Sequence, residues 1–159
     1  MPRHIDFGIT REFRRKGFFN ESVLRLHHCG FRGFRGRKAL VLLSDGDDTS
    51  SNLTFAQALE YSRYSGVVIY TIGLDVNGLN LGVRDKLKEL SRETGGRSFF
   101  IKKAEELADV YQAIENELRS QYLMAYASDR QGADDGYRTV EVKMKKRSMK
   151  ARTARGYYE

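Results

Sequence analysis

The chain has 159 residues, of which 40% are hydrophobic and 31% are charged, a composition typical of one globular domain with a buried core. No apolar run approaches the roughly 20 residues of a membrane-spanning helix, and the single cysteine excludes a disulfide within the chain. The net charge of +7 is uneven: residues 1–40 carry ten Lys or Arg against three Asp or Glu, residues 41–137 carry ten against sixteen, and residues 138–159 carry eight against two.

Residues 1–35 are predicted to form an irregular basic segment, because a glycine-rich stretch at 27–36 interrupts every helical or strand period. His27, His28 and Cys29 in this stretch are metal-ligating residue types. Three adjacent residues cannot easily close a tetrahedral site, so zinc binding is disfavoured.

Residues 39–119 alternate between strand and helix patterns. Apolar runs at 39–43, 67–72 and 98–101 predict three strands, the first two of them buried on both faces. Capping signals and helical periodicity predict a helix after each strand, marked by Thr54, Gln57 and Gly66, by Val83, Leu87 and Leu90, and by Leu107, Val110, Tyr111, Ile114 and Leu118. This alternation predicts an α/β fold with a parallel sheet covered by helices.

The C-terminal part, residues 121–159, has a different pattern and is predicted to be an antiparallel β-extension. Residues 122–126 and 139–144 predict two strands across a polar loop, and residues 149–153 predict a further strand. Apolar and charged residues alternate within 139–144, which indicates a strand with one solvent-facing side.

An acidic loop directly follows the first predicted strand and contains Asp45, Asp47 and Asp48. In open α/β sheets, ligands bind beyond the carboxyl ends of the strands. Carboxylate and hydroxyl oxygens suit Mg²⁺ or Mn²⁺ better than zinc. A polar surface loop whose Asp and Ser side chains cap turns is the alternative, and composition alone favours that alternative.

Enzymatic chemistry is disfavoured by the residue types that are present. Residues 41–159 contain no His and no Cys, which argues against a Ser-His or Cys-His nucleophile. Asp45 and Asp47 could form a hydrolytic carboxylate pair, but the sequence around them indicates no substrate cleft. The expectation is a protein that is not an enzyme.

Several stretches in order resemble a von Willebrand factor type A (VWFA) domain. GRKALVLLSDGDDT at 36–49 resembles its central strand and third metal-site loop, and SGVVIYTIGL at 65–74 resembles the next helix-to-strand junction. LKELSRETGGRSFF at 87–100 resembles the following helix, Gly-Gly turn and short strand, and residues 107–118 resemble the last helix. The ordered set with matching gaps is more specific than any one motif.

The C-terminal stretches YLMAY at 122–126 and RGYY at 155–158 resemble bacterial VWFA-related proteins, in which a β-extension follows the domain. The resemblance implies an α/β, Rossmann-like three-layer sandwich, with a mostly parallel sheet, helices on both faces and a C-terminal antiparallel β-extension. It divides the chain into an irregular segment at 1–35, a partial VWFA-like domain at 36–120 and the β-extension at 121–159.

The resemblance also implies a metal-ion-dependent adhesion site, in which three loops supply an Asp-x-Ser-x-Ser motif, a Thr and an Asp around Mg²⁺ or Mn²⁺. Only the third element matches here, and it places the metal ligand at Asp45. Asp-x-Ser-x-Ser is absent from the sequence, and the position of the Thr falls near Gly17, which has no side-chain oxygen. The expected site is incomplete, and we hypothesise that the chain is a truncated or frame-altered product of a longer gene.

The expected function is therefore a non-enzymatic protein–protein interaction or adhesion module, whose protein ligand the sequence does not identify. The resemblance implies an extracytoplasmic location, periplasmic or secreted, for a full-length parent. Two alternatives stay open: a degenerate scaffold that binds its partner through the β-extension, and a nucleic-acid binder that uses the basic ends of the chain. The acidic middle of the chain disfavours nucleic acid as the partner.

Overall fold

A computed structural model of the chain describes residues 36–44, 52–74, 81–126 and 136–158. In these ranges the strands are β1 Ala39–Ser44, β2 Val68–Leu74, β3 Ser98–Ile101, β4 Tyr137–Thr139 and β5 Gly156–Tyr158. The α-helices are α1 Phe55–Ser65, α2 Leu81–Thr94 and α3 Leu107–Arg119, and a 3₁₀ turn at Ala104–Glu106 precedes α3. The predicted irregular segment at 1–35 lies outside the described residues.

The first three strands form a parallel sheet in the order β1–β2–β3. Leu40 of β1 is paired with Ile69 of β2, and Thr71 of β2 is paired with Ser98 of β3. Strands β4 and β5 form a separate antiparallel pair. The prediction of a mixed α/β chain with a parallel sheet and a later antiparallel part is thus confirmed.

Alternate residues of the central strand β2 belong to two hydrophobic clusters. Ile69 packs in a cluster with Leu40 and Leu42 of β1, Leu59 of α1 and Leu90 of α2. The neighbouring residues Tyr70 and Ile72 pack in a second cluster with residues of β3 and α3, among them Ile101, Val110, Ile114 and Leu118. The side chains of β2 alternate across the sheet, so each set contacts different helices.

The helix boundaries follow the capping signals. Thr54 begins α1 with a capping box, in which its hydroxyl accepts a bond from the Gln57 backbone N–H and the Gln57 side chain accepts one from the Thr54 N–H. Gly66 ends this helix with φ of 61°, a left-handed conformation that glycine adopts without strain. In α3 the predicted apolar face is confirmed except at Tyr111, which is 49% exposed because no described element covers it.

The predicted strands of the C-terminal part are wrong in their bounds. Residues 122–126 have no regular structure, and their large side chains, such as Tyr122, are exposed, because no described strand pairs with them. The predicted strand at 139–144 is replaced by β4, which ends at Thr139. Residues 149–153 also form no strand, whereas β5 lies further along the chain.

The reason for this shift lies in the chain opposite β4. The last bond of the pairing runs from the Val140 N–H to the Arg155 carbonyl, at 2.7 Å. The Arg155 N–H turns away and donates to the Glu93 carbonyl at the end of α2, at 3.1 Å. The two arms therefore separate beyond Val140. Val140 and Val142 are half-buried, as the predicted alternation requires, whereas Met144 is exposed.

Candidate functional site

The parallel sheet brings the carboxyl ends of three strands to one edge. Ser44 at the end of β1 is paired with Gly73, and Leu74 at the end of β2 is paired with Ile101 at the end of β3. The predicted metal ligand Asp45 follows Ser44 directly in the sequence, but it lies outside the described residues, as do Asp47 and Asp48. Among the residues that the structure does describe, no group of three or more His, Cys, Asp or Glu side chains is placed to hold a metal ion.

A second candidate surface lies where the C-terminal hairpin, residues 136–158, meets α1 and α2. The ring of Tyr158 stacks on that of Tyr64 in α1, with centroids 3.6 Å apart and an interplanar angle of 9°. The Arg63 guanidinium lies 5.0 Å from the centroid of the Tyr137 ring. Stacked rings and cation–π contacts of this kind each contribute on the order of 1 kcal/mol, so aromatic contacts hold this end of the hairpin on α1.

A buried carboxylate joins the hairpin to both helices. Glu93 is 5% exposed, and its Oε2 accepts bonds from Arg63 Nη2 at 2.8 Å and Arg63 Nε at 3.1 Å. Its Oε1 lies 3.5 Å from Arg155 Nη1 of the hairpin. Burial lowers the pKa of Arg63, but the hydrogen bond and the charge of Glu93 outweigh burial and raise that pKa above its ordinary value. The Glu93 carboxylate therefore has two guanidinium groups beside it.

Glu117 of α3 repeats this arrangement. Its Oε1 accepts bonds from Arg97 Nη1 at 3.1 Å and from Arg152 Nη2 of the hairpin at 2.7 Å. Each of the two carboxylates, Glu93 and Glu117, therefore faces two guanidinium groups. A carboxylate carries one negative charge and two guanidinium groups carry two positive charges, so each cluster keeps a net positive charge.

A groove of about 420 Å³ lies between the hairpin and the end of α2. We call it the hairpin groove; it is lined by the last turns of α2, by residues 95–98 and by both hairpin arms, at 140–142 and 151–155. Its ionisable lining residues are the cations Lys88, Arg92, Arg97, Arg152 and Arg155 and the single carboxylate Glu141. The groove is thus strongly basic, with apolar wall segments at Val140, Val142 and Ala151.

Two glycines shape the floor of the hairpin groove. Gly95 has φ of 81°, and a Cβ there would lie 2.6 Å from the Ala154 nitrogen, so only glycine lets the hairpin pass this close to the end of α2. Gly96 lies even closer to the backbone of β2, where a Cβ would overlap the Ile69 carbonyl oxygen. The Gly-Gly stretch that ends the predicted helix therefore also sets the position of the hairpin.

Sequence reasoning predicted a basic C-terminal region but not this groove. Residues 143–155 carry seven Lys or Arg, and residues 142–158 contain no Asp or Glu. That composition indicates a basic surface. It does not indicate which cations meet Arg92 and Arg97, which are more than 40 residues earlier in the sequence.

Within the described ranges, no helix is both long and apolar enough to cross a membrane. A comparison with protein-family models finds no match to this chain, and a comparison with curated proteins finds none either. Among solved structures, the chain is similar to the crystal structure of an uncharacterized membrane spanning protein from Vibrio fischeri, with 28% sequence identity and a TM-score of 0.45. The match covers 52% of this chain and 48% of that chain, so this chain spans about half of that protein's length.

Proposed function

We propose that this chain is a non-enzymatic protein–protein interaction module of the VWFA type, which binds its partner through the C-terminal hairpin. Its proposed frame is a Rossmann-like three-layer sandwich. The parallel order β1–β2–β3 supports that frame, as do the two hydrophobic clusters that contain alternate residues of β2. The sequence resemblance supports the VWFA assignment, and the absence of His and Cys from residues 41–159 supports a non-enzymatic role.

One observation supports the hairpin as the binding surface: it is docked on α1 and α2 at one end and encloses an open, basic groove at the other. Concave sites with a few convergent polar groups are the usual ligand sites of proteins. The hairpin at 136–158 lies within the β-extension predicted at 121–159.

Selection of peptides from a random displayed library tests this proposal. We expect selected peptides to slow amide hydrogen exchange in residues 140–155 and in the last turn of α2, because a ligand in the hairpin groove covers both. Slowed exchange at Ser44 and Leu74 instead would place the contact at the carboxyl edge of the sheet. Failure to select any peptide would contradict the interaction function.

The carboxyl edge of the parallel sheet is the second candidate surface, since Asp45 follows the end of β1 directly. A VWFA-type contact there would require Mg²⁺ or Mn²⁺ bound with the help of Asp45. Mg²⁺ is reluctant to lose its water ligands and needs near-ideal octahedral geometry, so one matching carboxylate provides a weak site.

Calorimetric titration with Mg²⁺ and Mn²⁺ measures directly how tightly the chain binds either ion. We expect the heat of binding to be the same for the unmodified chain and for Asp45→Ala, because the incomplete site holds neither ion tightly. Asp109→Ala is the matched control, since Asp109 is an exposed carboxylate in the first turn of α3. Binding that disappears with Asp45→Ala but persists with Asp109→Ala would make metal-dependent adhesion the leading function.

A further inference from the structure

We propose that the hairpin groove binds an extended acidic segment of a protein partner. The acidic side chains pair with the groove arginines, and the backbone of the segment pairs with the hairpin arms. This inference rests on the proposed function, because it names the chemistry of the partner at the same surface.

The charges of the groove are the first argument. Arg97 and Arg152 share one carboxylate oxygen of Glu117, and Arg155 shares Glu93 with Arg63. Each guanidinium therefore keeps donors that these carboxylates do not satisfy. Charge-assisted bonds to a carboxylate are the strongest that such donors form, so the groove favours an anionic ligand.

Arg92 adds a cation at the mouth of the groove. It is exposed in the last turn of α2, and its side chain forms no hydrogen bond or ion pair with any residue in the described ranges. Lys88, one turn earlier, lies 3.6 Å from Asp85 and is half-exposed. Lys88 Nζ also lies 5.9 Å from the Phe100 ring centroid, so of the two side chains Arg92 turns towards a ligand at the smaller cost in existing contacts.

The backbone of the hairpin arms is the second argument. Pairing between the arms ends at Val140 and Arg155, and in the described structure residues 141–145 and 150–154 form no backbone-to-backbone hydrogen bond. Separated arms with unpaired N–H and C=O groups can accept an added strand, a common mode of peptide recognition. A peptide in the groove would satisfy these groups while its side chains reach the arginines.

The lining also argues against single-stranded nucleic acid, the other polyanion that a basic surface can bind. Proteins that bind single strands stack the bases on aromatic side chains, and the groove lining contains no aromatic residue. The Arg97 guanidinium is already placed 4.7 Å from the Phe99 ring centroid and is paired with Glu117. The groove therefore offers charge and backbone groups but no stacking platform.

Fluorescence anisotropy with labelled oligoglutamate on the full chain tests the inference. We expect oligoglutamate to bind more tightly than a neutral Gly-Ser peptide or an oligothymidylate of equal length, and to weaken as salt rises from about 50 to about 500 mM. An oligoglutamate with N-methylated backbone keeps its charge but loses its N–H donors, so we expect it to bind about tenfold more weakly.

Two charge-matched substitutions locate the binding. Arg92→Glu is expected to lower oligoglutamate affinity about tenfold. The control is Lys102→Glu, which makes the same charge change next to the carboxyl end of β3. We expect it to change the oligoglutamate affinity by less than about twofold, because Lys102 is exposed and is not in the groove lining. Circular dichroism melting of both variants confirms that each remains folded.

The outcomes separate the inference from the function on which it rests. Tighter binding of oligothymidylate would overturn the inference in favour of nucleic acid, and equal losses in Arg92→Glu and Lys102→Glu would show attraction by net charge alone. Groove binding of the Gly-Ser peptide without preference for oligoglutamate would overturn the acidic ligand but keep the interaction function. If none of the peptides binds, both proposals fail at this surface.

Discussion

Replacing Gly96 with alanine is expected to leave the protein unfolded or to lower its free energy of unfolding by more than about 4 kcal/mol. A Cβ at this position would overlap the carbonyl oxygen of Ile69 and lie 2.7 Å from its carbonyl carbon. Both atoms belong to the backbone of β2, the central strand of the sheet. No rotation of a side chain can relieve this overlap, so either the strand or the end of α2 must move.

Neither β2 nor the end of α2 can move without breaking further hydrogen bonds. The Ile69 N–H donates to Thr94 Oγ1 at 3.0 Å, and Leu40 of β1 is paired with Ile69 on the other side. The Gly96 N–H donates to the Ser91 carbonyl at 2.8 Å. Because Ile69 is 1% exposed, groups freed by a shift would stay buried without partners, at about 1–3 kcal/mol for each.

Gly82→Ala is the matched control for this experiment. Gly82 lies in the first turn of α2, and a Cβ there would have no atom within 4 Å. Alanine favours the helix by up to about 1 kcal/mol, so Gly82→Ala is expected to be neutral or slightly stabilising. Urea unfolding followed by circular dichroism compares the two variants, and equal midpoints would contradict the close approach at Gly96.

Local sequence signals predicted the parallel part of the fold well. The apolar run of β2 and the capping box at Thr54 depend on neighbouring residues alone. The capping box lies where the sequence placed it, and β2 at Val68–Leu74 overlaps the strand predicted at 67–72 and extends two residues beyond it. The helical face of Val83, Leu87 and Leu90 is also buried as predicted. Where hydrophobic periodicity and capping agree, the pattern is sufficient to define an element.

The C-terminal hairpin could not be predicted in the same way, because its strands are defined by contacts with distant residues. Alternation at 139–144 correctly indicated that Val140 and Val142 are half-buried but not that Met144 is exposed, and the pairing ends early because Arg155 bonds to Glu93. β5 has three residues, Gly156–Tyr158, which is too few to show a period. Its position depends on the stacking of Tyr158 on Tyr64.

The candidate sites differ in how far the sequence could predict them. The acidic loop with Asp45 is a continuous stretch, so a sequence pattern can identify it as a possible metal site. The hairpin groove joins Arg92 and Arg97 to Arg152 and Arg155, and only the fold brings these two groups together. The basic composition of residues 138–159 indicated that the surface is positively charged but not where the groove lies.

Glu93→Gln is expected to release the C-terminal hairpin from α1 and α2. Glutamine keeps the size of the side chain but replaces one oxygen with an amide group, which would face the donors of Arg63 or Arg155. Loss of a buried carboxylate with two cationic partners lowers the stability of the fold strongly. The Arg155 side chain is half-exposed, so its ion pair with Glu93 contributes less to that stability than the pair with Arg63. We expect the free energy of unfolding to fall by about 2–3 kcal/mol and the melting temperature to fall by roughly 5–10 °C.

Trypsin provides the local measurement, because residues 143–155 contain seven Lys or Arg at which it can cut. Cleavage there should become faster in Glu93→Gln than in Glu141→Gln, the control, in which an exposed carboxylate of the hairpin is changed in the same way. Equal cleavage rates and melting temperatures in the two variants would show that Glu93 does not hold the hairpin. If Glu93→Gln also abolishes oligoglutamate binding while Arg92 is intact, the docked hairpin, and not the charge of α2 alone, creates the binding site.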